Sequence, residues 1–202
     1  MTTGAPSTGR DEPPALADPR RWGALVGLVG ALTFAFSYSW ALPGTFGTVG
    51  RTATVACSAV TLWHLFVRPR PLGAYVVPSA GRIVVYLLCV AGELALIAVG
   101  SRMLDAAGAG DLRPALIAAA VGLHFVPFAW AFHQRVFLLL GPVLVVLGGV
   151  GLVLGTGLAA SGTAVAAGVA MAVVLCAWSQ GAFAPGRGRG RGPRAGGRAA
   201  GR

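Results

Sequence analysis

The most constraining feature of this sequence is a series of apolar stretches, each as long as a helix must be to cross a lipid bilayer. A helix rises about 1.5 Å per residue, so roughly 20 apolar residues cover about 30 Å of hydrocarbon. The 202 residues are 55% hydrophobic and only 11% charged, whereas soluble domains carry roughly 25% charged residues. The sequence therefore predicts an all-α integral membrane bundle, with no room for a soluble catalytic domain.

Six transmembrane helices are predicted, because six apolar stretches of suitable length follow one another. Pro69 closes the second span, and Pro114 opens the fourth at a first-turn position. A short turn over 157–162 is expected to separate the last two spans. The transmembrane domain is predicted to cover 22–184, with spans at 22–42, 49–67, 83–101, 114–132, 136–157 and 163–184.

Both ends of the chain are predicted to be disordered tails. Residues 1–21 are rich in Pro, Thr, Gly and charge, and residues 185–202 alternate Arg with Gly and Ala. The six arginines of the second tail would anchor the topology, or would bind anionic lipid headgroups at about 1 kcal/mol each. Nucleic acid is not expected as a partner, since this tail has no aromatic side chain to stack on a base.

The distribution of arginine predicts that both termini face the cytoplasm. All 16 basic residues are Arg, and this orientation places 13 of them on the inner side and three on the outer side. Short cytoplasmic loops collect positive charge. We therefore expect a multi-pass protein of the plasma membrane. The bias towards Arg, Ala, Val and Gly is typical of a GC-rich, bacterial genome.

Several kinds of chemistry are excluded by what the sequence lacks. Without any Lys, the chain can form neither a Schiff base nor a P-loop, although residues 44–52 are rich in glycine. The three Cys stand singly, and His124 and His133 are nine residues apart, on opposite faces of a helix. The spans contain no paired acids and no HExxH or GxSxG motif. We expect no metal, no cofactor and no enzymatic activity.

Glu93 and His124 form the candidate site. Glu93 is the only acid in any predicted span, and an ionisable group at the centre of a span costs about 2.5–3.5 kcal/mol on insertion scales. Each residue lies ten positions into its span, so both are about 15 Å deep. If the third and fourth spans are antiparallel neighbours, the two side chains could share or pass a proton. The alternative is that each only forms a hydrogen bond that helps the helices to pack.

Further polar positions and two prolines are predicted to shape the bundle. One face of the second span carries Arg51, Thr54, Ser58 and Thr61, within about 80° of each other. This stripe should point into the bundle, either to line a polar path or to pack with its hydroxyls bonded across helices or to their own backbone. The prolines inside the fourth and fifth spans are expected to kink them; they are Pro127 and Pro142.

The segment 121–129, with the sequence VGLHFVPFA, resembles a stretch found in small, uncharacterised bacterial membrane proteins of five or six spans. Their middle helix has a similar pattern of Gly-Leu-His-Phe followed by Pro, and the likeness covers this one helix. The resemblance implies that Gly122, His124 and Pro127 matter. It implies no activity, because these proteins have none established.

Two functions are compatible with these features. The first is a transport-like protein that uses Glu93 and His124 as a protonatable pair in the bilayer. The second is a membrane scaffold or accessory subunit whose buried polar groups are structural. Small-residue faces, such as Gly151 with Gly155 in the fifth span, are expected to pack helices together and could also join two copies into a homo-oligomer.

Overall fold

The described part of the chain folds into a bundle of α-helices. The computed structural model describes residues 14, 16–70, 72, 79–132 and 134–183. Within these residues every regular element is helical. The main helices are α1 (Pro19–Tyr38), α2 (Gly44–Leu62), α3 (Ala80–Ala106), α4 (Arg113–Phe132), α5 (Arg135–Leu154) and α6 (Gly157–Ser179). Short 3₁₀ turns lie at Ser39–Ala41 and Gly110–Leu112, and a π-helical turn, Trp63–Val67, extends α2.

Side-chain caps fix the starts of α1 and α6. The Asp18 carboxylate accepts a hydrogen bond from the Arg20 backbone N–H, and Pro19 occupies the first helical position. The Thr156 hydroxyl accepts from the backbone N–H of Ala159. Before it, Gly155 ends α5 in the left-handed conformation at φ 65°, which glycine adopts without strain.

The prediction of a turn over 157–162 is therefore wrong. Gly155 and Thr156 alone reverse the chain, and α6 already begins at Gly157. The small residues that follow do not break the helix, because the Thr156 cap satisfies a free N–H of the first turn. Gly155 also lies outside the packing face that was predicted to pair it with Gly151, since it serves as the left-handed end of α5.

The centre of the bundle is α6, which packs against α1, α2, α4 and α5. Its first two thirds present small buried residues, so neighbouring helices approach closely. A Cβ on Gly168 would lie 2.7 Å from the Ala31 carbonyl oxygen of α1. The main core comprises Ala31, Phe34, Ala118, Phe125, Phe128, Leu140, Leu144, Ala164, Ala167, Met171 and Ala172.

The most extensive helix pair is α4 with α5, and glycine makes it possible. A Cβ on Gly122 would lie 2.5 Å from the Val145 backbone nitrogen, and one on Gly141 would lie 3.1 Å from the Gly122 carbonyl oxygen. A Cβ on Gly148 would collide with the backbone of Ala119. The two backbones thus touch along much of their length, as they do in glycine-mediated membrane helix pairs.

At the edge of the bundle lies α3, which packs mainly on α4. None of its 27 residues is buried, although it is apolar on all sides. The half-buried positions facing α4 recur at intervals of three or four residues, as in the seam of a coiled coil. They include Cys89, Glu93, Ile97 and Gly100.

Five of the described helices are long and apolar enough to cross a membrane. They correspond to α1, α3, α4, α5 and α6. The exception is α2, which contains Arg51 and five Thr, so its mean hydropathy is lower than that of the others. Five such helices, in a described chain that is otherwise also helical, are compatible with a membrane protein. Most of the first predicted tail (1–13 and residue 15) and all of the second, 185–202, lie outside the described residues, as does His133.

Candidate functional site

The structure brings Glu93 and His124 together between α3 and α4. The short connection at 107–112 makes the two helices antiparallel neighbours. Three contacts lie along their interface. The Tyr86 ring stacks on that of Phe128, and the Glu93 carboxylate lies beside the His124 imidazole. The Leu116 side chain packs against Gly100, which has no side chain in its way. The three α3 residues are seven apart, which places them on one helix face. Glu93 is the middle of the three.

The contact joins His124 Nδ1 to Glu93 Oε2 at 3.0 Å. The exposed fractions of the two side chains are 12% and 16%, so both are largely withdrawn from the surface. The distance suits a charge-assisted hydrogen bond, but Nδ1 has no partner in hydrogen-bond geometry, so the oxygen lies off the ring's N–H direction.

Aromatic rings surround the imidazole. The Phe125 ring centroid lies 4.2 Å from that of His124, and the Phe128 ring meets it edge-on at 5.0 Å. Phe137 of α5 stacks on Phe125 at 5.3 Å, and Tyr86 of α3 stacks on Phe128 at 5.2 Å. The pair is therefore set in an apolar environment, where a charge without a partner is costly.

This environment limits the protonation states that the pair can adopt. With one proton the pair is neutral overall, whether the proton resides on the carboxyl or on the imidazole. A second proton leaves a positive charge, and loss of the proton leaves a negative one. An uncompensated charge in an apolar site costs several kcal/mol, so the overall neutral combination of the two groups costs least.

The predicted polar stripe of α2 divides into two parts. Thr54, Ser58 and Thr61 are buried inside the bundle. The Thr54 hydroxyl donates to Gly50 O at 2.8 Å, and the Thr61 hydroxyl donates to Cys57 O at 2.7 Å, so both bond to their own helix. The Ser58 hydroxyl is buried without a hydrogen-bond partner.

Arg51 lies apart from these hydroxyls. Its guanidinium carbon sits 4.3 Å from the ring centroid of the exposed Trp40, in a cation–π contact at the end of α1. The two prolines lie within continuous helices: α4 runs through Pro127 and α5 through Pro142. Within the described residues Glu93 pairs with His124 and not with any of these residues, so the site consists of the pair and its aromatic surroundings.

An ionic cluster at the start of α1 was not predicted from the sequence. Asp18, only 1% exposed, pairs with Arg20 at 2.9 Å and with Arg21 at 3.8 Å. Arg21 is 4% exposed and donates to the carbonyl oxygens of Leu65 and Arg70 beyond the end of α2. The only signal of this cluster in the sequence was the Asp-Pro pair at the start of a helix, which is a common N-cap pattern.

The described residues contain no group of three or more His, Cys, Asp or Glu that could hold a metal ion. Comparison with protein-family models, curated proteins and solved structures finds no match to this chain. The resemblance of 121–129 to small bacterial membrane proteins stays a prediction. Function must therefore be inferred from the geometry of the site itself.

Proposed function

We propose that the chain is a non-enzymatic, multi-pass protein of the plasma membrane that takes up and releases protons through Glu93 and His124, as part of a transport-like activity. Five apolar helices of sufficient length support the membrane location. The proposal places α2 in the bilayer as a sixth span. This helix packs against α1 and α6, and its buried hydroxyls lie on the inner side of the bundle.

The contact of 3.0 Å between Glu93 and His124 carries the functional part of the proposal. Ionisable residues in the interior of membrane bundles commonly mark proton or ion pathways. Here a carboxyl and an imidazole lie side by side near the middle of their helices. A proton shared between them can move from one group to the other without changing the net charge of the pair. That property is what a proton relay needs.

The alternative is a scaffold or accessory subunit in which the same groups only hold helices together. It is favoured by Thr54 and Thr61, whose hydroxyls bond to their own helix and leave no polar path along α2. Under this alternative the contact between Glu93 and His124 joins α3 to α4 and moves no proton. The two functions make opposite predictions about proton movement.

The proposed topology places both termini in the cytoplasm and the connection between α3 and α4 outside. A reporter fused after Arg202 should therefore be active only in the cytoplasm, and one inserted at Ala107 should be active only outside, because Arg-rich loops are retained on the inner side. Signals from the same side for both fusions would contradict the six-span arrangement.

Proton uptake into vesicles tests the proposed activity. Vesicles containing the wild-type protein and an internal pH-sensitive dye should acidify faster than empty vesicles when an inward proton gradient is imposed. Glu93→Gln keeps the shape of the side chain but cannot titrate, so we expect its vesicles to acidify no faster than empty ones. Thr54→Val is a matched control, since it replaces another polar group inside the bundle by an isostere and should leave the uptake unchanged.

A structural role predicts a different pattern. In that case the wild-type vesicles would not differ from empty ones, or Glu93→Gln would retain full uptake. Size-exclusion chromatography and circular dichroism of each variant distinguish loss of uptake from loss of fold.

A further inference from the structure

The end of the bundle at which α1 begins and α2 ends carries an excess of positive charge. The Asp18 cluster, which is formed by Asp18, Arg20 and Arg21, lies here beside the segment that carries Arg68 and Arg70. Both of these arginines are exposed, and neither forms an ion pair within the described residues. In this part of the described chain, four guanidinium groups are therefore balanced by a single carboxylate.

The charges that precede the described residues do not reverse this excess. They are Arg10, Asp11 and Glu12, which together carry one negative charge. Even if all three are counted with this end of the bundle, the balance stays positive. An anion is therefore attracted to this end, and a cation is repelled.

The buried arginine of the cluster is not fully neutralised. Arg21 is 4% exposed, and its Nη1 and Nη2 groups donate to the carbonyl oxygens of Leu65 and Arg70. Its Nε has no hydrogen-bond partner within the described residues and lies 3.8 Å from Asp18 Oδ2. The same carboxylate accepts hydrogen bonds from the Arg20 side chain at 2.9–3.2 Å, so two guanidinium groups share one counter-charge. A second anion beside them would lower the cost of burying Arg21.

Exposed apolar side chains border these charges. Trp22 in the first turn of α1 is 51% exposed, and Trp63 at the end of α2 is 49% exposed. The Trp22 ring meets that of Phe66 edge-on at 6.5 Å, which joins α1 to the end of α2 at this level. Tryptophan is enriched where lipid headgroups meet the hydrocarbon of a membrane. A ligand with an anionic head and apolar chains would contact both parts of this surface, whereas a free phosphate ion would contact only the charges.

We propose that this surface binds the phosphate headgroup of an anionic phospholipid. Arg68 and Arg70 donate hydrogen bonds to the phosphate oxygens, and the acyl chains lie against Trp22 and Trp63. Arg70 Nη1 also donates to Gln180 O at the end of α6, at 3.1 Å. A guanidinium has five N–H donors in a planar fork that matches phosphate, so Arg70 retains donors for the lipid.

This site differs from the contact expected for the tail at 185–202. It is formed by side chains of the folded helices and by the segment after α2, and not by a low-complexity sequence. Arg21 remains inside the bundle and acts on the headgroup through its charge. Binding at this end does not depend on Glu93 and His124, which lie near the middle of their helices.

The test is isothermal titration calorimetry of the full chain in a non-ionic detergent. The three probes are dihexanoylphosphatidylglycerol, dihexanoylphosphatidylcholine and inorganic phosphate. We expect the phosphatidylglycerol to bind and the other two to bind more weakly. The double variant Arg68→Gln, Arg70→Gln should weaken phosphatidylglycerol binding about tenfold, since it removes two charge-assisted contacts.

Two further variants control for net charge and for folding. The pair Arg51→Gln, Arg102→Gln removes the same charge from the opposite end of the bundle, so the affinity should change by less than about twofold. The pair Arg68→Lys, Arg70→Lys keeps both charges and should retain most of the affinity, because lysine also binds phosphate.

The proposal is overturned if the wild-type protein does not bind the phosphatidylglycerol, or if it binds the phosphatidylcholine as tightly. Equal affinity for inorganic phosphate would also overturn it, since the site would then recognise a free ion and not a lipid. So would an equal loss in the two glutamine pairs, which would show that net charge or the arginine-rich tail attracts the lipid. Since the readout is binding in detergent, these outcomes are independent of whether vesicles take up protons.

Discussion

Gly148→Ala is expected to destabilise the bundle strongly, whereas the same change at the neighbouring Gly149 should be neutral or slightly stabilising. A Cβ on Gly148 would collide with the Ala119 backbone nitrogen and would lie 2.6 Å from the Ala115 carbonyl oxygen. Backbone cannot move aside as a flexible side chain can, so α4 and α5 must separate. We expect a loss of about 3 kcal/mol or more, at the upper end of overpacking costs.

Gly149 lies one position further along α5, and a Cβ there would meet nothing within 4 Å. Alanine is favoured over glycine inside a helix by up to about 1 kcal/mol, so Gly149→Ala serves as a matched control with the opposite expected sign. Unfolding of both variants by a denaturing detergent, followed by circular dichroism, gives the comparison. Equal stability of the two variants would show that α4 and α5 do not approach as closely as described here.

Asp18→Ala should also destabilise the protein by about 3–5 kcal/mol, the usual cost of removing one partner from a buried ion pair. The change leaves the buried guanidinium of Arg21 without its counter-charge. It also removes the cap of α1, which contributes about 1 kcal/mol. Asp18→Asn separates the two effects, because asparagine can still cap the helix but carries no charge.

Asp105→Ala is the control for this prediction. Its ion pair with Arg113 leaves both side chains nearly half exposed, at 47% and 46%, so solvent screens the interaction. We expect that variant to lose no more than about 1 kcal/mol. If Asp18→Ala and Asp105→Ala have the same stability in a chemical-denaturation experiment, the Asp18 cluster contributes no more than a surface pair.

The general architecture and the depth of the site were predictable from the sequence. The helix positions followed from runs of apolar residues, and most observed helix ends lie within a few residues of the predicted ones. The meeting of Glu93 with His124 followed from equal depth in adjacent antiparallel helices. Both predictions depend only on the number of residues along the chain, which the sequence provides directly.

The rotation of α3 was not predictable from hydrophobicity, because this helix is apolar on every side. The seven-residue spacing of Tyr86, Glu93 and Gly100 was the available signal for the face that meets α4. The burial of Asp18 and Arg21 depends on the end of α2, a contact more than 40 residues away in the chain. A local pattern of charge and proline gives no sign of such a partner, and it resembles a disordered tail.

Proton uptake by a complete set of four proteins tests the central claim most directly: wild type, Glu93→Gln, His124→Ala and the double variant in identical vesicles. If the two side chains act as one protonatable unit, each single change should abolish uptake above empty vesicles, and the double variant should be no worse than either. The claim would be contradicted if wild-type vesicles took up no more protons than empty ones. It would equally be contradicted if each single variant kept part of the activity and the two losses were additive.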